Sequence, residues 1–318
     1  MALSIVVYHY TAWMRLEEYS VFMRFYGRYG VSIFYLLSGF TMSLIYSDRI
    51  EKYEDVRNFL IKRFKRIYPL LFFTSIATFI GLKLSGVVIE WGDLLQSVFL
   101  VFPFFKWWSP IARGAWSIGN EVVFYLGFVF LQYVFKARFN AVIVALLVFS
   151  FLFSIFTIND QLPLTERNWI NYTNPISQMK FFIMGILTHK MNHYDAFKLL
   201  SKFKWLLLVL GLLFSYTTVV EYNIVSGYIG VIGLFLSLLI FFSFVSDANN
   251  EKDSRYLMYL GTISYSIYLI HPLVYSLYKK SVLFVSFNLI PSLELILLIA
   301  FTVVVSKMSY KSIEDKFR

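Results

Sequence analysis

The sequence predicts an all-α fold: a polytopic membrane helical bundle of about ten transmembrane helices with both termini in the cytoplasm. Hydrophobic residues make up 58% of the 318 residues and charged residues only 15%, against about 45–50% and about 25% in soluble domains. Apolar stretches long enough to span a bilayer recur along the whole chain. Aromatic residues reach 20% and often lie at the ends of these stretches, where amphipathic rings prefer the headgroup level.

Ten apolar segments are predicted to cross the membrane, and together they form one domain over residues 1–318. In chain order they are Met1–Met14, Gly30–Tyr46, Ile67–Leu84, Ser117–Phe135, Ala141–Thr157, Ile176–His189, Trp205–Val220, Gly227–Val245, Leu257–Leu277 and Val282–Ser306. The first segment is short for a hydrocarbon core of about 30 Å, so we expect its start to be incomplete. The stretch Leu94–Phe105 is also too short to span, and we expect an interfacial or re-entrant piece of a loop there.

Basic residues divide unevenly between the two sides of these segments. Of the 29 Lys and Arg residues, 19 fall in the loops after even-numbered segments or in the C-terminal tail. Cytoplasmic loops of membrane proteins are enriched in Lys and Arg. We therefore expect both termini to face the cytoplasm and the loop around Trp107 to face the opposite side.

The same composition argues against nucleic-acid, disulfide and metal functions. The net charge is +10, but the basic residues are scattered between apolar segments and form no continuous face for nucleic acid. Without cysteine, the chain has no disulfide framework, thiolate nucleophile or cysteine metal ligand. His189 and His193 are spaced one helical turn apart, but no third ligand is near them in the sequence, so we predict no metal site.

Three ionisable residues are predicted to share a depth in the outer half of the membrane: His9, Glu121 and His271. At about 1.5 Å per residue, His9 and Glu121 lie about 7 Å below the outer boundary, and His271 lies about 21 Å from the cytoplasmic side. A histidine and a carboxylate that orient each other can take a proton from an alcohol. The histidines could instead be hydrogen-bonded interfacial residues, and Glu121 could pair with Arg113.

A basic cluster marks the cytoplasmic start of the third segment, in the sequence FLIKRFKRIYP. Its four cations are Lys62, Arg63, Lys65 and Arg66. Arg63 and Arg66 are three residues apart on a helix, so they lie side by side and could hold phosphate groups through forked hydrogen bonds. Positive-inside topology and anionic lipid would also place basic residues there.

The outer loop before the fourth segment is rich in aromatic and acidic residues. It carries Trp91, Trp107, Trp108, Trp116, Glu90 and Asp93. Such a loop suits a sugar-binding surface, and an aromatic belt at the membrane interface explains the tryptophans equally well. Trp108 and Trp116 are therefore candidate substrate contacts.

Several motifs resemble the acyltransferase type 3 family, the integral membrane O-acyltransferases that modify bacterial polysaccharides, lipopolysaccharide and antibiotics. In the order of that family they are VVYHY, GVSIFYLLSGF, FLIKRFKRIYP, WSIGNEVVFY and LGTISYSIYLIHP, with YKSIEDKF near the C-terminus. The residues that match the family's functional positions are His9, Arg63, Arg66, Glu121 and His271. The resemblance covers the chain from its first helix to its C-terminal end.

The resemblance implies an O-acyltransferase, most simply an O-acetyltransferase, in the inner (cytoplasmic) membrane of a bacterium. It would use acyl-coenzyme A as a cytoplasmic co-substrate, with no resident cofactor, and a hydroxyl of an extracytoplasmic or lipid-linked sugar or polysaccharide as the acceptor. The basic cluster would hold the coenzyme phosphates. His9, oriented by Glu121, would be the general base, and His271 or a backbone amide would support the oxyanion. Tyr125, with Trp108 and Trp116, would contact the substrate.

Two questions stay open at the level of the sequence. Direct transfer is the simplest route, but Ser38 or Ser117 could carry the acyl group transiently. The family also places an arginine eleven positions before its first-helix histidine, and that position falls upstream of Met1. We therefore expect either a misassigned coding start or an inactive, truncated relative.

A transporter or flippase of lipid-linked sugars is the alternative from another functional class. Such a protein is expected to carry inverted repeats and membrane helices interrupted by Gly or Pro near the midplane. Neither feature is apparent in the sequence, so the acyltransferase interpretation is preferred.

Overall fold

The computed structural model describes residues 2–14, 20–47, 49–158, 166–191, 199, 202–219, 239–240, 243, 255–280 and 290–317. The regular structure in these residues is entirely helical, which confirms the all-α prediction for this part of the chain. The helices are α1 (Ala2–Trp13), α2 (Ser20–Tyr46), α3 (Tyr53–Leu84), α4 (Trp91–Val98), α5 (Phe102–Phe105), α6 (Ala115–Val134), α7 (Phe139–Thr157), α8 (Glu166–Thr173), α9 (Pro175–Met191), α10 (Lys204–Val219), α11 (Arg255–Thr262), α12 (Ser264–Lys280) and α13 (Pro291–Ser309). A 3₁₀ turn precedes α7, and a π-helical turn follows α13.

Several of these helices are suited to a membrane. Within the described ranges, the helical segments long and apolar enough to cross it are Tyr53–Leu84, Ala115–Val134, Lys136–Thr157 and Pro291–Glu314. They correspond to the third, fourth, fifth and tenth predicted segments, and Gly30–Tyr46 is a shorter apolar helix at the second. Most of the eighth predicted segment, Gly227–Val245, lies outside the described residues, as does His193. The number of ten crossings stays a prediction.

Helix α3 begins earlier than the third predicted segment, at Tyr53 rather than Ile67. The Asp55 carboxylate accepts hydrogen bonds from the backbone N–H groups of Glu51 and Lys52, at 3.1 and 2.9 Å. This contact caps the first turn, and acidic side chains there also favour a helix start. The basic cluster therefore lies inside one continuous helix that also contains Pro69.

The ninth predicted segment, Leu257–Leu277, is divided between α11 and α12 at Ile263. Side-chain hydroxyls on either side of this residue bond to nearby carbonyls: Thr262 donates to Met258 at 3.0 Å, and Ser264 donates to Gly261 at 2.7 Å. The backbone ladder nevertheless continues across the junction, because the Ile263 N–H donates to the Tyr259 carbonyl at 3.1 Å and the Ile267 N–H donates to the Ile263 carbonyl at 3.0 Å. The division is therefore a local irregularity and not a break between separate helices. Hydropathy alone cannot detect this division because both helices are apolar.

Contacts group the chain into two compact units. The first comprises Met1–Met23, Asn58–Val122 and Ser254–Arg318, and the second comprises Arg24–Arg57 and Val123–Asp253. In the first unit, α1 packs against α12 and α13. In the second, α7 packs against α9. All residues discussed below as one site belong to the first unit.

Tyr10 joins the three helices at the centre of the first unit. Its side chain is fully buried, and its hydroxyl lies 2.6 Å from the Thr302 hydroxyl on α13. The same hydroxyl donates to the backbone carbonyl of His271 on α12, at 3.0 Å. A buried hydroxyl needs such partners, and these fix α1 against both neighbours at the level of the histidines.

In the second unit, two glycines allow α2 and α9 to touch through their backbones. A Cβ atom on Gly39 would lie 1.9 Å from the Phe182 carbonyl oxygen, and one on Gly185 would lie 2.0 Å from the Leu36 carbonyl oxygen. No larger residue fits at either position without separating the helices. Close contact of this kind is a common use of small residues between membrane helices, and it explains Gly39, the second-to-last residue of the motif GVSIFYLLSGF.

Candidate active site

His9 on α1 and His271 on α12 are hydrogen-bonded to each other. His9 Nδ1 lies 2.8 Å from His271 Nε2. The ring centroids are 5.1 Å apart and the planes differ by 11°, so the rings meet edge to edge in nearly one plane. His271 is fully buried and His9 is half-buried. The fold thus brings together two of the three residues that the sequence places at a common depth.

The proline after His271 determines which nitrogens carry protons. Pro272 has no N–H, so the carbonyl of Tyr268, four residues earlier, lacks its usual helical donor. His271 Nδ1 lies 2.7 Å from that carbonyl oxygen. Because a carbonyl only accepts, Nδ1 carries the proton, and Nε2 of the neutral ring accepts from His9. The neutral ring is favoured because an unpaired charge is costly to bury.

These bonds leave His9 with an unprotonated Nε2. Its Nδ1–H donates to His271, so the lone pair of the neutral ring resides on Nε2. The Tyr268 carbonyl, His271 and His9 form a chain in which each group fixes the orientation of the next. Serine hydrolases hold their base in one tautomer by a comparable buried partner, although that partner is a carboxylate. The arrangement can accept a proton from a hydroxyl.

An indole ring covers the histidine pair. Trp13 lies one turn after His9 on α1, and its ring is 4.9 Å from the His9 centroid with a 7° angle between the planes. It is also nearly parallel to His271, at 5.9 Å and 12°. The Arg113 guanidinium lies 5.8 Å from the indole centroid and interacts electrostatically with His9. Trp13 therefore stacks beside the pair and brings the Arg113 cation close to it.

Glu121 is placed near this site through Tyr268. The Tyr268 hydroxyl lies 2.7 Å from the Ser117 hydroxyl and donates to the Gly114 carbonyl at 3.0 Å. Glu121 is one turn after Ser117 on α6 and interacts electrostatically with Tyr268. Gly114 has a φ of +82°, in the left-handed region that glycine tolerates best. The partner of His9 Nδ1 is His271, so orientation of His9 by Glu121 stays a prediction.

The basic cluster occupies the first half of α3. Lys62, Lys65 and Arg66 are exposed, whereas Arg63 is half-buried with its guanidinium 5.9 Å from the centroid of the buried Phe59 ring. Past the cluster, the Tyr265 hydroxyl donates to the Ile67 carbonyl at 2.7 Å. This bond ties α3 to α12, the helix that carries His271. Binding of a coenzyme by the cluster stays a prediction.

The three aromatic residues predicted to contact substrate have different surroundings. Trp116 is buried in the first turn of α6. Trp108 is half-buried and meets Trp107 edge to face, with centroids 5.2 Å apart. Tyr125 belongs to the second unit, where its buried hydroxyl lies 2.8 Å from the Ser38 hydroxyl. Contact of these residues with substrate stays a prediction.

Comparison with protein families decides the identity of the chain at the family level. A family model described as an acyltransferase domain matches residues 1–310 of the 318. The chain belongs to the acyltransferase type 3 family. This membership supports a membrane acyltransferase, and it confirms the family resemblance that the motifs predict. Comparisons with curated proteins and with solved structures gave no match.

Sequence reasoning missed several residues that shape the site of this acyltransferase. Trp13 follows His9 by four positions, and that spacing already predicts contact on one helical face. Pro272 stands beside His271 and signals a free carbonyl one turn earlier. The contact of Tyr268 with Ser117 gives no such signal, because it joins residues 151 positions apart.

No group of three His, Asp or Glu side chains within the described part of the chain is placed to hold a metal.

Proposed function

We propose that this acyltransferase moves an acetyl group from cytoplasmic acetyl-coenzyme A to a hydroxyl of an extracytoplasmic or lipid-linked sugar or polysaccharide. In this proposal it crosses the inner membrane of a bacterium ten times, with both termini in the cytoplasm. The observation that carries the proposal is the hydrogen bond of 2.8 Å between His9 and His271. That bond leaves His9 Nε2 ready to accept a hydroxyl proton, which is what an O-acyltransferase requires of its base.

The reaction then needs one base and two positioned substrates. His9 Nε2 takes the proton of the sugar hydroxyl as the oxygen attacks the thioester carbonyl. Collapse of the tetrahedral intermediate breaks the carbon–sulfur bond and releases the coenzyme thiolate. Since a thiol has a pKa of about 8–9, the thiolate then takes the proton from His9 and restores the neutral ring. A thioester is already activated, so positioning supplies much of the remaining rate enhancement.

His271 acts as a positioning residue in this proposal. The sequence suggests that it could support the oxyanion, but both of its nitrogens are engaged, one with Tyr268 at 2.7 Å and one with His9 at 2.8 Å. It therefore holds the His9 tautomer and shares the positive charge that develops on His9. Glu121 would add a negative potential near this pair, through the region of Tyr268. Trp108, Trp116 and Tyr125 remain the proposed substrate contacts.

The donor is proposed to bind at the basic cluster of α3. Arg63 and Arg66, with Lys62 and Lys65, would hold the coenzyme phosphates while the pantetheine arm reaches toward the histidines between helices. Replacing Arg63 or Arg66 with Lys keeps the charge but removes the forked geometry. Because a hydrogen bond to a charged group contributes about 1.5–3 kcal/mol, we expect acetyl-coenzyme A affinity to fall about tenfold or more.

That affinity is measured by equilibrium binding to purified protein in lipid nanodiscs. Lys52→Gln is a suitable control, because it removes one exposed cation just before α3 and leaves the cluster intact. Normal binding by the Arg63→Lys, Arg66→Lys double variant would show that the cluster serves only topology.

The proposed reaction is tested with labelled acetyl-coenzyme A and glycan extracts. The wild-type protein should release free coenzyme and place the label on a base-labile ester of a sugar, in equal amounts. Label recovered on the protein itself, on Ser38 or Ser117, would replace direct transfer by an acyl-enzyme route. Sugar movement across the membrane without any loss of thioester would instead indicate a transporter.

The proposed orientation has its own test. A reporter fused after Arg318 should be active only in the cytoplasm, and a tag inserted near Trp107 should be labelled from outside intact cells. The opposite result would exchange the donor and acceptor sides and reject the mechanism above.

A further inference from the structure

A cavity of about 350 Å³ in the first unit is lined by neighbours of the two histidines, although neither histidine is part of its wall. Its wall includes Trp13, which stacks on His9 at 4.9 Å, and Pro272, which follows His271. Small-molecule sites usually have volumes of about 300–1,000 Å³. The cavity is therefore at the small end of that range, and it suits one sugar residue rather than a long segment of polysaccharide.

The helix ends that form the cavity all lie on the outer side of the membrane in the proposed topology. Trp13 and Leu82 lie near the C-terminal ends of α1 and α3, Lys279 lies at the C-terminal end of α12, and Arg113 comes just before α6. In the proposed topology, the first, third and ninth segments run outward and the fourth starts outside. Leu82 is also sixteen residues beyond Arg66 on the same helix, or about 24 Å. The cavity thus belongs to the acceptor side, far from the basic cluster.

Three cationic side chains line this cavity: Arg113, Lys279 and Lys280. The Arg113 guanidinium lies 5.8 Å from the Trp13 ring centroid, and the Lys279 ammonium lies 5.4 Å from that of Tyr275. Lys280 is held by the Ser85 hydroxyl and by the Gly81 carbonyl. In the described part of the chain, no acidic residue lines the cavity.

The positions of these cations are unexpected from topology alone. Lys and Arg are normally depleted on the outer side of a membrane protein, yet three of them converge here beside the catalytic pair. Glu294 on α13 interacts electrostatically with Tyr275 but is not part of the cavity wall. Aromatic rings together with guanidinium and ammonium groups form a surface that suits an anionic ligand with an apolar face.

We propose that this cavity binds the anionic substituent of the acceptor, so that the preferred acceptor is an acidic sugar bearing a carboxylate or a phosphate. The proposal rests on the proposed function and specifies its substrate class. Arg113 and His9 both contact the Trp13 ring. An anion held by Arg113 would therefore bring a hydroxyl of the same sugar toward His9 past the edge of that ring. Lys279 completes the cationic wall, and Trp13 provides the surface against which the sugar packs.

The test compares three methyl glycosides that differ only in the group at C6: neutral methyl glucoside, methyl glucuronide with a carboxylate, and methyl glucoside 6-phosphate. Binding to the full chain in nanodiscs of phosphatidylcholine is measured by saturation-transfer NMR without any donor. The result is thus independent of acetyl transfer. We expect the glucuronide or the phosphate to bind at least tenfold more tightly than the neutral glucoside, and the better of the two identifies the anion.

Variants then locate the binding. Arg113→Gln and Lys279→Gln should each reduce affinity for the preferred anion about tenfold and affect the neutral glucoside much less, whereas Arg113→Lys should retain part of the preference. Lys83→Gln is the matched control, because Lys83 is also exposed near the end of α3 but lies over Phe79, 5.7 Å from the ring centroid, outside the cavity.

Two outcomes overturn the proposal while leaving the proposed function intact. One is equal affinity of the wild-type protein for the neutral and anionic glycosides, together with normal transfer of acetyl to neutral sugars. The other is loss of glycoside binding in nanodiscs that contain phosphatidylglycerol, which would identify the cavity as a site for lipid headgroups. By contrast, anion-selective binding by a protein that binds no acetyl-coenzyme A would support the anion-binding role of the cavity. It would reject acetyl-coenzyme A as the donor in the proposed function.

Discussion

His9 and His189 both lie on apolar helices, but their surroundings give the two rings different chemistry. In the first unit, His9 donates to a histidine that is itself fixed by a carbonyl, at 2.8 and 2.7 Å. In the second unit, His189 Nδ1 lies 2.9 Å from the Ser43 hydroxyl, and the ring meets Phe40 edge to face at 5.7 Å. A hydroxyl both donates and accepts, so Ser43 leaves the tautomer of His189 undetermined.

The comparison shows that the histidine alone does not make a base. The carbonyl of Tyr268 fixes the proton on His271, and His271 then fixes the proton on His9. The Ser43 hydroxyl next to His189 does not by itself determine which ring nitrogen carries the proton. A general base must present its lone pair to the substrate in one tautomer, and the arrangement at His9 provides that.

The largest effect is expected from His9→Gln. Glutamine keeps a donor for His271 but has no ring nitrogen of suitable pKa, so acetyl transfer should fall by about 10²–10⁴, the scale for loss of a general base. Initial rates with labelled acetyl-coenzyme A measure the change, and donor binding should stay near the wild-type value. Near-normal turnover by a folded His9→Gln protein would end this mechanism and make Glu121 the leading candidate for the base.

A smaller loss, of about 10–10²-fold, is expected from His271→Leu. Leucine fills much of the buried volume but accepts no hydrogen bond, so His9 Nδ1 loses its partner and its tautomer is no longer fixed. The pH dependence of kcat separates this role from simple packing, because the midpoint assigned to His9 should move. An unchanged pH profile with only a lower yield of folded protein would indicate a structural role. His271→Gln, which can both donate and accept, should recover part of the activity.

Much of this site could be predicted from the sequence, because short local motifs contain its main residues. The motif VVYHY supplies His9, and the motif ending in IHP supplies both His271 and the proline that frees the Tyr268 carbonyl. The rise of about 1.5 Å per residue converts their positions in separate segments into depths in the membrane, and these depths agree. The all-α membrane class follows similarly from composition, since apolar residues at 58% exceed what a soluble fold can bury.

The rest depends on contacts that a single sequence does not encode locally. Helix α3 begins at Tyr53, where the Asp55 carboxylate caps its first turn, and hydropathy does not mark that start. The ninth segment has a local irregularity at Ile263, and nothing in its hydropathy marks that position. The direct partnership of His9 with His271, where the sequence suggested Glu121, depends on how α1 packs against α12, and periodicity does not specify the rotation of one helix against another.

Pro272→Ala should cost about tenfold in kcat and also raise stability. Alanine restores an N–H that competes for the Tyr268 carbonyl, so His271 loses its fixed proton. A proline inside a helix costs about 3 kcal/mol, and part of that cost should be recovered as a higher Tm. The His271 ¹⁵N shifts report the tautomer. Pro69→Ala in α3 is the control, since it should raise Tm without changing kcat at saturating donor concentration. An equal loss of kcat in both variants would assign the effect to helix geometry and not to the His271 tautomer.

The smallest effect is expected from His189→Gln, the counterpart of the first substitution. In the wild-type protein the Ser43 hydroxyl lies 2.9 Å from His189 Nδ1. Glutamine can still form a hydrogen bond with this hydroxyl and can pack against Phe40. Surface and half-buried replacements that keep their partners usually change stability by about 0.5 kcal/mol or less. Initial rates and Tm should therefore stay within about twofold and a few degrees of the wild type. A loss of transfer as large as that of His9→Gln, in a protein with an unchanged Tm, would mean that the second unit carries its own catalytic histidine. The fixed tautomer of His9 would then no longer explain which histidine acts.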